Sequence, residues 1–355
     1  MVYALLIVYA SWYPFSGWHD MGLSPFGYLS ASLPHYWTMF DLLTNVVGYI
    51  PLGILMVFAL YPLLRGMRAI LVTIVCGSLW SAIMEAVQTY LPSRVPSNLD
   101  LLTNAAGICI GAIAGALLSR TFLEQSRLLA LRRSWFSLEA GPGLIVLSLW
   151  PLAQIYPQGY LFGHGQLMPI LSDWLGTLLS NPIDLNAALT RGAELTAKQY
   201  WLSETIITTC GLSGAVLTLL CLLRPKAPKA TLVFLLIGAA FTLKSLSNAL
   251  QFSPENAFAW LTPGAQGGVL LGMVMLSGLV FAPAAAQRHV AALMLIMSLV
   301  AVNTVPANPY FIANLQGWMQ GKFLNFNGAA QFLSLLWPFF ALWYLLRPTR
   351  SQKRE

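Results

Sequence analysis

The sequence predicts an all-α fold, a polytopic bundle of transmembrane helices, and three observations support that fold class. Of its 355 residues, 57% are hydrophobic and 9% are charged, with a mean hydropathy of +0.68, far outside the averages of soluble domains. Several apolar runs approach or exceed the roughly 20 residues that a helix needs to cross the hydrocarbon core of a bilayer. The alternating ten-residue segments typical of membrane β-barrels are absent from the sequence.

About ten apolar segments are predicted to be membrane spans. The first is the shortest, because Pro14 interrupts it after thirteen residues. The predicted segments are 1–15, 38–61, 69–91, 100–119, 139–156, 203–223, 230–250, 264–282, 289–305 and 329–346.

The distribution of Lys and Arg between the predicted loops indicates the orientation of the bundle. Loops on one side hold fourteen of these residues and loops on the other side hold four, while Lys244 lies inside a span. Because cytoplasmic loops carry the excess of positive charge, both termini are expected in the cytoplasm. Basic residues scattered through short loops are typical of membrane topology, so nucleic acid is not expected as a partner.

The basic segment 120–138 is the expected boundary between two membrane regions. It is predicted to be a cytoplasmic linker between residues 1–119, with about four spans, and residues 139–355, with about six. The long outer loop 157–202 has a mixed polar and apolar pattern that predicts one or two short helices at the membrane surface. The four cysteines lie within predicted spans, and their spacing supports neither a disulfide framework nor a zinc site.

One pentapeptide, Asp-Leu-Leu-Thr-Asn, occurs twice in the first region, beginning at Asp41 and at Asp100. In the predicted topology both copies begin spans at the outer surface, and the intervening span ends there. The repeated sequence is consistent with a duplicated two-helix unit. Seven polar residues therefore share the outer membrane face: Asp41, Asn45, Glu85, Gln88, Arg94, Asp100 and Asn104.

Two interpretations of these polar residues remain open. As structural groups, Asp41 and Asp100 would cap the N-termini of their helices. That interpretation does not cover Glu85, which lies near a helix C-terminus, where the helix dipole disfavours an anion. As a site, the acidic groups would bind a cation, share protons or hold a polar head group. Arg94 would then pair with Asp100 or Glu85, or hold a phosphate group.

No sequence pattern predicts a metal ion or a cofactor, and none is expected. Oxygen ligands suit Mg²⁺ or Ca²⁺, but no Asp-x-Asp or Asp-x-x-Asp pattern is present, and the common nucleotide-binding and hydrolase motifs are absent. Lys244 is the other intramembrane charge, and Asn248 lies one turn further on. Lys244 would act as a proton or ion relay, or it would pair with a carboxylate such as Glu204. His164 belongs to no recognised catalytic set.

In order and spacing, these residues resemble the VanZ-like family of bacterial membrane proteins. The matching features are Asp41, Asn45, Pro51-Leu52-Gly53, Glu85, Gln88, Arg94, Asp100, Asn104, Gly107 and Gly111. The resemblance covers about residues 3–119. It implies a role in the cell envelope and, through the founding member of the family, a link to low-level resistance against the glycopeptide teicoplanin. It leaves the biochemical mechanism open.

The leading hypothesis is an inner-membrane protein whose outer polar cluster binds a polar or lipid-linked envelope ligand, with membrane lipids as further partners. The runner-up is a membrane-embedded enzyme that acts on a lipid-linked glycan or a lipid head group, with Glu85 or Asp100 as general base. A transporter is the third hypothesis, supported by Lys244 and by the duplicated unit. A purely structural role for the seven residues is the alternative to all three.

Overall fold

The computed structural model describes residues 2–13, 15–34, 36–123, 127–190, 195–306 and 324–347, and their regular structure is helical apart from one isolated bridge. The α-helices are α1 (Val2–Trp12), α2 (Met39–Leu60), α3 (Gly66–Gln88), α4 (Asn98–Leu123), α5 (Arg127–Trp135), α6 (Gly141–Ala153), α7 (Met168–Leu179), α8 (Leu185–Thr190), α9 (Ala197–Leu220), α10 (Lys229–Gln251), α11 (Pro263–Leu279), α12 (Ala284–Thr304) and α13 (Leu324–Leu346).

Seven of the described helices are long and apolar enough to cross a membrane. They are Asp41–Leu60 within α2, the whole of α3, α4, α9, α10 and α12, and Gly328–Leu346 within α13. Three shorter apolar helices, Val2–Trp12, Leu138–Ala153 and Pro263–Leu279, lie at the other predicted segments. The all-helical membrane fold is therefore confirmed. The number of ten spans and the cytoplasmic location of both termini stay predictions.

The chain divides into two compact units, Met1–Arg132 and Arg133–Glu355, called unit 1 and unit 2 below. Helix α5 lies within the segment that the sequence assigns to the linker, and the division falls inside this helix. Helices α7 and α8 lie within the predicted outer loop, where one or two short helices were expected. Each unit is described by itself.

Unit 1 is built on a close contact between α2 and α4. A methyl group added at Gly107 would overlap the carbonyl oxygen of Val46, and one added at Gly111 would overlap that of Ile50. At Gly53 the added carbon would lie 2.5 Å from the carbonyl oxygen of an α4 residue. In these contacts the residue numbers of α2 and α4 increase together, so the two helices run parallel, as the sequence predicts. Glycine allows this approach because it has no side chain.

Helix α3 lies antiparallel to α4 and packs against it. The pairs in contact are Gly77 with Ile108 and Ser81 with Asn104, so residue numbers rise on one helix as they fall on the other. Helix α1 is joined to its neighbours by two side-chain hydrogen bonds: Tyr3 Oη donates to the carbonyl of Gly48 on α2, and Trp12 Nε1 donates to the carbonyl of Met84 on α3. The beginnings of α2 and α4 and the end of α3 therefore meet at one end of unit 1.

Unit 2 is organised around α9, whose residues from Ile207 to Leu220 are all buried. Helix α11 packs on α9 through glycines four residues apart: Gly264 meets Glu204, Gly268 meets Thr208 and Gly272 meets Leu212. Helix α12 packs on another face, where Leu295 covers Gly214. A large apolar core joins these helices to α6, α10 and α13. The packing explains why a helix that carries several hydroxyl groups is buried: its neighbours have small residues at the contacts.

We expect Gly111→Ala to lower the stability of unit 1 by about 1–3 kcal/mol, because the added methyl group overlaps main-chain atoms of α2 that cannot move independently. Thermal unfolding of the purified protein in detergent measures the effect. The matched control is Gly48→Ala on α2, where an added methyl group meets nothing within 4 Å and stability is expected to stay equal or rise. Equal behaviour of the two variants would contradict the close contact.

Candidate functional site

Polar side chains from α2, α3 and α4 meet at the end of unit 1 where α2 and α4 begin and α3 ends. We call this group the polar cluster. Its members are Asn45, Tyr49, Ser81, Glu85, Ser97, Asp100 and Asn104. Four of the seven residues selected from the sequence therefore come together, and three further residues join them.

The carboxyl groups of Glu85 and Asp100 form the centre of the polar cluster. Glu85 is 4% exposed, and its Oε2 accepts a hydrogen bond of 2.9 Å from the backbone N–H of Ser97. Asp100 accepts a hydrogen bond of 2.9 Å at Oδ1 from Nδ2 of Asn45. The two carboxyl groups are close enough to interact electrostatically. Buried acidic groups are costly in a membrane protein unless they are paired or functional, so this arrangement needs both hydrogen bonds.

Asn104 lies one helical turn deeper than Asp100 and is also buried. Its Nδ2 donates a hydrogen bond of 2.9 Å to Oγ of Ser81, while its Oδ1 is buried without a hydrogen-bond partner. Tyr49 interacts with Ser81 and with Glu85. An unpaired buried carbonyl oxygen costs about 1–3 kcal/mol, so the open acceptor of Asn104 is the feature of the polar cluster that structure alone does not explain.

The sequence contained a signal for the residues that it did not select. Ser81 precedes Glu85 by four residues on α3, and Tyr49 follows Asn45 by four residues on α2. Residues four apart lie on one face of a helix. The positions one helical turn from Glu85 and Asn45 therefore predict the further members Ser81 and Tyr49. Ser97 is different, because it contributes through its backbone N–H, which no residue-type pattern can reveal.

Asp41 has a structural role that Asp100, its counterpart in the repeat, does not have. Thr38 and Asp41 form a capping box at the start of α2: Oγ1 of Thr38 accepts the backbone N–H of Asp41, and the Asp41 carboxylate accepts the backbone N–H of Thr38. At α4 it is Ser97 whose Oγ accepts the N–H groups of Leu99 and Asp100. The capping interpretation therefore applies to Asp41, whereas the side chain of Asp100 is directed to Asn45.

Gln88 and Arg94 hold the end of α1 in place. Nε2 of Gln88 donates to the carbonyl of Ser11 at 3.2 Å. The guanidinium group of Arg94 donates to the carbonyl of Tyr13 through Nε at 3.3 Å and through Nη2 at 3.0 Å, and to that of Ala10 at 3.2 Å. These carbonyls belong to the last turn of α1 or follow it, where the helix itself offers no donors. The hydrogen bonds of Arg94 in the described chain thus go to main-chain carbonyls, in place of the expected carboxylate partner.

Burial lowers the pKa of Arg94, and the nearby Glu85 opposes that shift.

Tyr28, in the loop between α1 and α2, also lies near Glu85. Its hydroxyl donates to the carbonyl of Ala82, and burial together with the charge of Glu85 raises its pKa. The same loop is tied to α4, since Nδ2 of Asn98 donates to the carbonyl of Ala31 at 2.7 Å. The loop therefore packs beside the polar cluster.

The polar cluster is rich in hydrogen-bond acceptors. Two carboxyl groups and the open Oδ1 of Asn104 can accept hydrogen bonds, whereas one amide N–H of Asn45 and one of Asn104 are already engaged with Asp100 and Ser81. In the described part of the chain, no group of three or more His, Cys, Asp or Glu residues could hold a metal ion. Such a set of acceptors suits a ligand that carries hydroxyl, amine or ammonium groups.

The intramembrane residues of unit 2 form a separate set. Nζ of Lys244 donates to the carbonyl of Tyr156 at 3.4 Å, and Glu204 lies against α11 beside Gly264 and interacts with Thr262. The expected pairing of Lys244 with Glu204 is therefore not the arrangement seen among the described residues. His164 is buried and contacts Gln154.

Together, the apolar helices and the buried polar cluster define a polytopic helical membrane protein with a candidate ligand site at one end of its first unit. Comparison with known families agrees with this class. A model of the VanZ/LLP1 family matches residues 1–119, so the first third of the chain is similar to that family. Searches of curated proteins and of solved structures found no match.

Replacing Arg94 by Met should release α1 from unit 1, because three hydrogen bonds to the carbonyls of Ala10 and Tyr13 are lost. We expect faster amide hydrogen exchange across residues 2–13, measured by mass spectrometry, with α9 to α12 unchanged. The control is Arg68→Met, which removes an exposed arginine from the same unit. Unchanged exchange in residues 2–13 would show that Arg94 does not hold α1.

Proposed function

We propose that unit 1 binds a polar or lipid-linked ligand of the cell envelope at the polar cluster, on the extracytoplasmic side of a bacterial inner membrane. The open Oδ1 of Asn104 carries this proposal, because a buried acceptor with no donor is the atom that a ligand would satisfy. Glu85 and Asp100 lie one turn nearer the end of the bundle and give the site its acidic character. Asn45, held by Asp100, completes the binding face.

The chemistry of the polar cluster selects the class of ligand. Acceptors dominate, so the ligand must bring hydrogen-bond donors, as an amino sugar, a glycerol head group or an ethanolamine head group does. A choline head group has no N–H donor and fits less well. Arg94 is engaged with α1 and is left out of the site, as is Asp41, which caps α2.

The distribution of charge and the family match support the proposed location. The excess of Lys and Arg in one set of loops supports an extracytoplasmic position for the polar cluster. The VanZ-like character of residues 1–119 supports an envelope role. Altered susceptibility to glycopeptides of the teicoplanin type is the cellular effect to test, and it would follow from binding an envelope component.

Asn104→Leu should weaken ligand binding about tenfold or more while leaving the stability of the free protein close to that of the parent. Leucine has a shape similar to that of asparagine. Removal of the unpaired carbonyl stabilises the fold and removal of the hydrogen bond to Ser81 destabilises it, so the two effects on stability oppose each other. Binding is measured on the purified protein with phosphatidylethanolamine, phosphatidylglycerol and a polyprenyl diphosphate-linked amino sugar, with phosphatidylcholine as reference. Thermal unfolding is measured alongside.

The control variant is Asp20→Asn, which removes an exposed carboxylate from the loop beside the polar cluster. It should bind as the parent does. Equal binding of phosphatidylcholine and the other lipids would refute a site selected by donors. A large fall in the stability of Asn104→Leu without any ligand found would mean that the polar cluster serves to hold α3 and α4 together.

A second function is favoured by one observation, the electrostatic coupling of Glu85 to Asp100. When two carboxyl groups interact in this way, one can hold a proton while the other accepts one. In that case unit 1 would be a membrane-embedded enzyme acting on a lipid-linked glycan or a lipid head group, and Glu85 or Asp100 would be the general base.

Glu85→Gln separates binding from catalysis. The amide still accepts the hydrogen bond from Ser97, so the fold and ligand binding should persist, but it cannot take up a proton. If unit 1 is an enzyme, we expect turnover to fall about a hundredfold or more. Turnover is measured by chromatography of the lipid products. Unchanged turnover would exclude Glu85 as the base, and the same measurement on Asp100→Asn tests the other carboxyl group.

A further inference from the structure

A non-helical segment runs through the interior of unit 2 between the end of α6 at Ala153 and the start of α7 at Met168. Its residues Tyr160, Leu161 and Phe162 are at most 3% exposed. Backbone of this kind is tolerated at membrane depth only when it is buried in protein or lines a polar cavity, because its N–H and C=O groups need partners.

Side chains of neighbouring helices satisfy much of this segment. On α10, Ser247 and Gln251 both donate to the carbonyl of Ile155. On α12, Asn303 donates through Nδ2 to the carbonyl of Gly165 and accepts the N–H of Leu167 at Oδ1. These contacts account for the polar residues that take part in them and give them a structural role.

Lys244 is not accounted for in this way. It is 3% exposed and has three N–H donors, and its contact in the described chain is one long hydrogen bond of 3.4 Å to the carbonyl of Tyr156. No carboxyl group lies within ion-pair distance of Lys244 among the residues that the structure describes. A buried ammonium group without a counter-charge is costly, so its retention calls for an anionic partner.

Lys244 interacts electrostatically with His164, which contacts Gln154, and two polar atoms on this side of α6 lack hydrogen-bond partners. Oε1 of Gln154 and Nε1 of Trp150 are buried without a hydrogen bond, and both residues are 0% exposed. His164, by contrast, is fully engaged: Nε2 meets Nε2 of Gln154 at 2.8 Å, and Nδ1 meets the carbonyl of Phe162 at 3.1 Å. Both ring nitrogens of His164 are therefore occupied.

Ring contacts place these groups in one cluster. The ring of Phe162 lies 4.9 Å from that of Trp150 and 5.9 Å from that of Phe241, which precedes Lys244 by three residues on α10. Trp337 on α13 lies 5.4 Å from the ring of His164. These ring contacts connect α6, α10, α13 and the buried segment.

We propose that unit 2 binds a small carboxylate that also carries a hydroxyl or amino group, with Lys244 as its counter-charge and Gln154 as the acceptor for its donor group. The indole N–H of Trp150 is a second donor available to the carboxylate. This site is independent of the polar cluster of unit 1. A single negative charge balances the single ammonium group of Lys244, so a monoanion fits better than a divalent anion. In a zwitterion the carboxylate would face Lys244 and the ammonium group would face the carbonyl oxygen of Gln154.

The test compares glycolate and glycine with acetate, which has the same charged group but no additional donor. Each is titrated into the purified full chain, and the thermal unfolding midpoint is recorded. Glycolate or glycine should raise the midpoint by about 3 °C at concentrations well above its dissociation constant, and acetate by clearly less. Lys244→Met should lose this response, while Lys226→Met, which removes an exposed lysine near the start of α10, should keep it.

Three outcomes would overturn the proposal. The first is the absence of a response to glycolate and glycine in the parent protein. The second is an equal response to acetate, which would remove the role of Gln154. The third is a response of Lys244→Met equal to that of the parent. The comparison of glycolate with acetate in the parent does not depend on the folding of any variant, so it decides the matter even if Lys244→Met is unstable.

Discussion

The close approach of α2 and α4 is the contact on which the candidate site of unit 1 depends. Helices separated by side chains lie about 8–10 Å apart. Glycines at Gly53, Gly107 and Gly111 remove that spacing and bring backbone against backbone. At the same pair of helices Asn45 donates to Asp100, whose carboxyl group interacts electrostatically with that of Glu85. The helices that pack most closely in unit 1 thus also carry the polar groups of the candidate site.

The two copies of the pentapeptide show how tertiary contacts give identical residues different roles. Asn45 binds Asp100, whereas Asn104 binds Ser81 on α3 and keeps a free carbonyl oxygen. Asp41 closes a capping box with Thr38. The difference arises because the second copy lies between α2 and α3, while the side chain of Asp41 is exposed at the helix start. A duplicated sequence therefore does not produce a duplicated site.

Unit 2 uses the same packing device with another result. Helices α9 and α11 make contact through glycines four residues apart, and their paired numbers also rise together, as those of α2 and α4 do. Many buried polar groups of unit 2, however, serve the non-helical segment after α6, where Lys244 has a single long hydrogen bond and the side chains of Gln154 and Trp150 each keep an unpaired polar atom. An acceptor-rich cluster in one unit and a buried cation in the other are suited to ligands of opposite character.

The sequence by itself determined the class of protein and most of its helices, because apolar runs of this length are stable only as helices in a bilayer. It also selected Asn45, Glu85, Asp100 and Asn104, since polar groups inside such runs are rare. The tertiary structure alone decided which of the seven selected residues meet, that Arg94 binds the end of α1, and that Lys244 stands apart from Glu204. The physical reason is that a change of a few tenths of an ångström in the distance between two groups decides whether they form a hydrogen bond. The distances between helices are set by the packing of side chains far apart in the chain.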